Sequence, residues 1–176
     1  MRTSRRQTHG FSLVEVIIAV GIFATAVAVI LALLAPLSRQ AAASADVLTA
    51  LRLPDAIRAE LGRLGRVGGL DSLAGQTRSM AAPLPATLTL VASRDATRVQ
   101  SLSYLPPPAS DRVAQVDQFF LVEAWTFNQA PLAYDPSGAV LALHVRVSWP
   151  YFTPGANAAT AAADREQVTF TLSLNR

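Results

Sequence analysis

Twenty consecutive residues, from Val16 to Ala35, carry no charge. Coiled as a helix, such a run spans roughly 30 Å, the thickness of a bilayer's hydrocarbon core. Arg2, Arg5 and Arg6 stand ahead of it with no acid among them. The first residues are therefore expected to stay cytoplasmic, with everything after Pro36 exported. A single anchor so close to the start leaves the rest of the chain, 176 residues in all, to build one modest domain.

The order of features around the run is specific. A cleaved secretory leader has a shorter apolar core, and its small-residue cleavage site follows that core. Here His9-Gly10-Phe11-Ser12-Leu13-Val14-Glu15 precedes the run, so a cut between Gly10 and Phe11 removes the basic tail and keeps the helix. This arrangement reads as a type III signal sequence. The chain resembles a type IV prepilin or a type II secretion pseudopilin precursor. The resemblance rests on Gly10, Phe11, Glu15 and the unbroken apolar helix behind them. It implies a prepilin peptidase that cuts after Gly10 and, as an N-methyltransferase, methylates Phe11. The further partners it implies are the membrane, sister pilin or pseudopilin subunits and an inner-membrane assembly platform. The opening Phe11-Ser12-Leu13-Val14-Glu15-Val16 looks more like minor subunits than major ones, and Glu15 argues against the tip subunit that typically lacks this acid.

Glu15 needs a physical account of its own. An ionised carboxylate near the membrane interior costs on the order of 2.5–3.5 kcal/mol, so it usually has a partner. It can also reach the interface and the favourable end of the helix dipole. The family resemblance implies a third role: pairing with the Phe11 amine of a neighbouring subunit and setting the axial register. Gly21, Ala24, Thr25, Ala28, Ala32 and Ala35 fall on one face of the same helix. Small residues let helices approach closely in lipid, although alanine is abundant throughout the chain.

The isoelectric point near 10.2 invites a nucleic-acid reading, which the distribution of charge undoes. All fifteen basic residues are arginine; three lie in the leader, and the other twelve are matched by twelve acids. No basic cluster survives cleavage to hold a phosphate backbone, so no nucleic-acid partner is expected. The absence of cysteine excludes a disulfide framework and a thiol nucleophile.

Beyond Pro36 an amphipathic pattern resumes. Leu37, Ala41, Ser44, Leu48 and Leu51 recur at spacings of three and four, with Arg39 and Asp46 facing away. Ile57, Leu61 and Leu64 carry an apolar stripe onward. The reading is helix from about Ser12 to Leu64, with a break or bend at Leu53-Pro54. Gly62, Gly65, Gly68 and Gly69 terminate it; they lack the spacing of a phosphate loop. Residues 71–85 read as loop.

The remainder alternates like strands. Residues 87–91 are expected to pair with 98–105 across Ser93-Arg94-Asp95-Ala96. Residues 119–127 are apolar on both faces, as a central strand covered by helix on one side and loops on the other would be. Asp135-Pro136-Ser137-Gly138 is a turn. Leu141, Leu143, Val145, Val147 and Trp149 alternate with Ala142, His144, Arg146 and Ser148. Pro150 stops that strand, and residues 155–164 form an alanine-rich loop. In the last strand Val168, Phe170, Leu172 and Leu174 point inward. The fold class is therefore α+β: a long N-terminal helix packed on an antiparallel sheet of about five strands with meander-like turns. A pilin-like fold has this order of elements. The parts are a leader over 1–10, an assembly helix over 11–35, an amphipathic helix over 36–66 and a sheet domain over 67–176. The core should include Leu48, Leu143, Val145, Val147, Phe170 and Leu172.

Candidates for chemistry are few. His9 belongs to the leader, leaving His144 on the polar face of a strand. No G-x-S-x-G surrounds a serine, and no second histidine completes a metal cluster. Asp111, Asp117 and Asp135 lack the close spacing of a calcium loop, and Pro106-Pro107-Pro108 reads as a rigid loop. No catalytic residue, metal or cofactor is expected. The leading reading is a filament subunit. The alternatives are a membrane-anchored periplasmic binding module that does not polymerise and, weaker still, an anchored hydrolase.

Overall fold

The computed structural model describes residues 12–79, 88–153 and 155–176. The chain forms two compact units, Met1–Ala45 and Asp46–Arg176. Helix α1 (Leu13–Gly68) is built of alanine, leucine and other apolar residues in its first part, and every described residue from Ser12 to Ala45 is exposed. In its second part Ala50, Leu53, Ile57, Leu61 and Leu64 are fully buried.

Of the break or bend expected at Leu53-Pro54, a break is absent: α1 is continuous through both Pro36 and Pro54. An interior proline costs about 3 kcal/mol. Burying Leu53, Ile57 and Leu61 returns about 1.5–3 kcal/mol for each side chain, enough to hold the turn.

The expected helix face is also corrected. Leu37, Leu48 and Leu51 are 61%, 60% and 56% exposed, so Leu48 is no core residue. The buried stripe 50-53-57-61-64 lies roughly opposite, at about 100° per residue. Asp46, expected to face away, falls on the buried stripe and pairs with Arg94. Both stripes have helical periodicity; only the larger, branched 53-57-61-64 set meets the sheet.

Gly69 (φ 82°) turns the chain out of α1, and its N–H reaches the Gly65 carbonyl at 2.9 Å. The expected loop over 71–85 instead opens with helix α2 (Leu70–Gln76), whose Leu70 and Leu73 are buried. Seven residues are too few for a periodic signal, and burial of two leucines holds the turns in place. Asp71 of α2 accepts a hydrogen bond from Tyr134 and pairs with Arg176 at 3.1 Å. Residues 80–85 of that expected loop, and residue 87 of the strand expected over 87–91, lie outside the described residues.

The strands are β1 (Arg78–Ser79), β2 (Leu88–Ser93), β3 (Val99–Ser101), β4 (Gln118–Thr126), β5 (Val140–Trp149) and β6 (Glu166–Asn175). Five form an antiparallel sheet in the order β3-β2-β4-β5-β6, and β1 adds a short parallel pairing to β4. The meander is interrupted once. β2 pairs with β3 on one side and β4 on the other, so residues 102–117 cross back over the sheet. Val113 in that crossing is buried and donates its N–H to Gln100 Oε1 at 2.8 Å.

Alternation places Leu88, Leu90, Phe120, Val122, Leu143, Val145, Val147, Leu172 and Leu174 in one core with α1. Phe170 packs against that core, partly buried. The opposite face of β4 is covered as well, since Leu121, Glu123 and Trp125 are all buried. The turn at 135–138 forms as expected, with Gly138 N–H to Asp135 O at 2.9 Å.

Candidate functional site

Arg2, Arg5, Arg6, His9, Gly10 and Phe11 lie outside the described residues. The N-terminal segment is therefore seen from Ser12 onward. Ser12 precedes the first turn of α1; its carbonyl accepts from Val16 N–H at 3.2 Å and its hydroxyl from Val14 N–H at 3.3 Å. Ser12 thus acts as a helix N-cap. Glu15 stands three residues later, completing the S-x-x-E spacing of a capping box. That spacing was legible in Ser12-Leu13-Val14-Glu15, but the sequence reading weighed Glu15 alone.

Glu15 is exposed in the first turn of α1. Among the described residues no cation pairs with it. Its carboxylate shares that turn with freely accessible apolar side chains: Leu13 is 77% exposed and Ile17 62%. Among the described residues one helix, α1, is long and apolar enough to cross a membrane. On the small-residue face, Thr25 donates its hydroxyl to Gly21 O at 2.8 Å. The bond satisfies the polar atom within the helix and leaves the stripe apolar.

In the sheet unit, His144 is half-buried between aromatic rings, 6.0 Å from Trp125 and 6.3 Å from Phe127. Burial, and then the charge of Arg146, lower its pKa below the ordinary imidazole value. Arg146 lies over the Trp125 ring at 4.8 Å and bonds Glu123 at 2.7 Å. Glu123 and Arg146 are direct cross-strand partners, so this group closes on itself as packing of the outer face. Asp135 accepts from the Ser137 N–H and hydroxyl at 2.8 and 2.7 Å within its own turn. Among the described residues no three metal-ligating side chains come together. Pro106-Pro107-Pro108 lies in the crossing segment, where Arg112 donates to Pro107 O at 3.0 Å.

Residues 5–35 match a family model, the prokaryotic N-terminal methylation motif. Comparison with curated proteins and with solved structures gave no match. The matched segment takes in Gly10-Phe11, Glu15 and the apolar run through Ala35, and α1 continues beyond it to Gly68. By that motif the N-terminal segment is of the prepilin type, similar to the start of type IV prepilins and pseudopilins.

Proposed function

We propose that the chain is a structural subunit, of the minor kind, of a type IV pilus or type II secretion pseudopilus. The observation that carries this reading is the methylation motif continuing into an apolar helix whose one charge is Glu15. In this account Arg2, Arg5 and Arg6 hold the leader on the cytoplasmic side of the inner membrane, and the sheet unit is periplasmic. Prepilin peptidase cuts between Gly10 and Phe11 and methylates the Phe11 amine. Glu15 then meets the Phe11 amine of a neighbouring subunit as an assembly platform adds the chain to the fibre.

Two features of the molecule support polymerisation through the helix. Among the described residues no cation pairs with Glu15, and Leu37, Leu48 and Leu51 leave an apolar stripe exposed opposite the face that meets the sheet. The chain is a substrate of the peptidase and has no catalytic role of its own.

Coexpression with a prepilin peptidase tests the reading. The expected product begins at a methylated Phe11, and replacing Gly10 by a bulkier residue should block its formation. A mature N-terminus beyond Ala35, seen by mass spectrometry, refutes it.

A further inference from the structure

The first residues of the Asp46–Arg176 unit are held in an unusual way. Between Asp46 and Leu53 of α1, Ala50 is the one fully buried apolar side chain, while Val47, Leu48 and Leu51 are exposed. A methyl group is a weak anchor for nearly two turns of helix. A further tie is ionic. Arg94, in the turn between β2 and β3, donates Nε to Asp46 Oδ1 at 3.0 Å and Nη2 to Asp46 Oδ2 at 2.9 Å. Its guanidinium also lies over the Phe119 ring of β4 at 4.7 Å. The Asp46 side chain is 15% exposed and that of Arg94 58%, so the carboxylate is the more sheltered partner. A two-point fork on a planar cation is directional; it fixes the rotation of α1 about its axis as well as its distance from the sheet.

We propose that the Asp46–Arg94–Phe119 contact is a clasp that sets where α1 stops being part of the globular unit, and that opening it releases α1 from the sheet as far as Leu53. Leu53 is the first large buried anchor, followed by Ile57 and Leu61, so release halts there. A segment with few buried apolar contacts opens locally at low cost, and the clasp decides whether this one does. In a subunit that assembles through its N-terminal helix, opening adds the turns bearing Leu48 and Leu51 to the part of α1 that lies outside the globular unit. That consequence rests on the filament reading; the clasp itself does not.

Hydrogen exchange in the full chain, solubilised in detergent, tests it. Arg94→Lys keeps the charge and loses the fork, and Asp46→Arg reverses one partner. Both are expected to speed exchange of amides 47–53 by on the order of tenfold, the scale of a lost charge-assisted hydrogen bond, while the β4 and β5 amides keep their rates. The reciprocal exchange, Asp46→Arg with Arg94→Asp, should restore most of the protection. Wild-type rates at 47–53 in both single variants overturn the proposal. So does equal acceleration in β4 and β5, which would make the pair an ordinary contributor to global stability. Neither result depends on assembly, so neither bears on the filament reading.

Discussion

Truncating Ile57 and Leu48 separately tests which face of α1 meets the sheet. Ile57 is fully buried between Leu53 and Leu61, whereas Leu48 is 60% exposed on the opposite stripe. Ile57→Ala removes three carbon groups, about 2.4 kcal/mol of transfer free energy at roughly 0.8 kcal/mol each. The cavity left behind adds to this, bringing the cost to about 3–4 kcal/mol. Leu48→Ala takes away surface already in water and should stay within about 0.5 kcal/mol. Against a total stability of about 5–15 kcal/mol, the first is a large loss. For a domain of this size it should lower the melting temperature by about 10 °C. Thermal unfolding followed by circular dichroism reads both variants in the same buffer. If Leu48→Ala is as damaging as Ile57→Ala, or Ile57→Ala leaves the melting curve in place, the helix face is assigned wrongly. The functional readout runs the other way: Leu48→Ala should reduce incorporation into fibres without altering the melt.

Glu15→Gln should be inserted, cleaved and folded normally, and its own incorporation or cross-linking to sister subunits should fall; normal incorporation would favour a tethered module. Gly68→Ala should destabilise by about 1–3 kcal/mol, the usual cost of overpacking, because a Cβ there would lie 1.9 Å from the Tyr104 hydroxyl; adding Tyr104→Ala should recover part of the loss in the same melting assay. His144 has a pKa lowered by burial, so below about 6.5 the unfolded chain takes up a proton more readily than the folded one. Its contribution to stability is thus fully present above that pH and is lost as pH falls through the depressed folded value. His144→Gln should flatten that part of a stability–pH curve, and an unchanged slope would remove the assignment.

Much of the architecture could be read from single residues. In β5, Leu141, Leu143, Val145, Val147 and Trp149 are all buried on one face, as their alternation requires, since a strand's side chains have a period of two. The turn residues Asp135 and Gly138 likewise carried their own geometry. On the candidate site, the methylation motif over residues 5–35 was legible because targeting is read from the linear chain. Ser12 was missed although its capping spacing stood in the same motif. α2 was missed because Leu70 and Leu73 make too short a pattern to signal a helix.

The sequence alone determined that α1 exists, that its first part is apolar on every side, and that an alternating sheet follows it. These are local properties, set by charge, hydropathy and side-chain period. Which of the two apolar stripes on α1 meets the sheet was decided only in the folded unit. Leu48 and Leu51 satisfy a helical period as well as Leu53 and Ile57 do, and period alone carries no information about what lies opposite. The choice follows from fit: Leu53, Ile57, Leu61 and Leu64 share one core with Leu90, Phe120, Val145 and Leu172. Asp46 meets Arg94 across 48 residues of sequence. Contacts of that kind depend on strand order and register, and both emerge only when the whole sheet has closed on the helix.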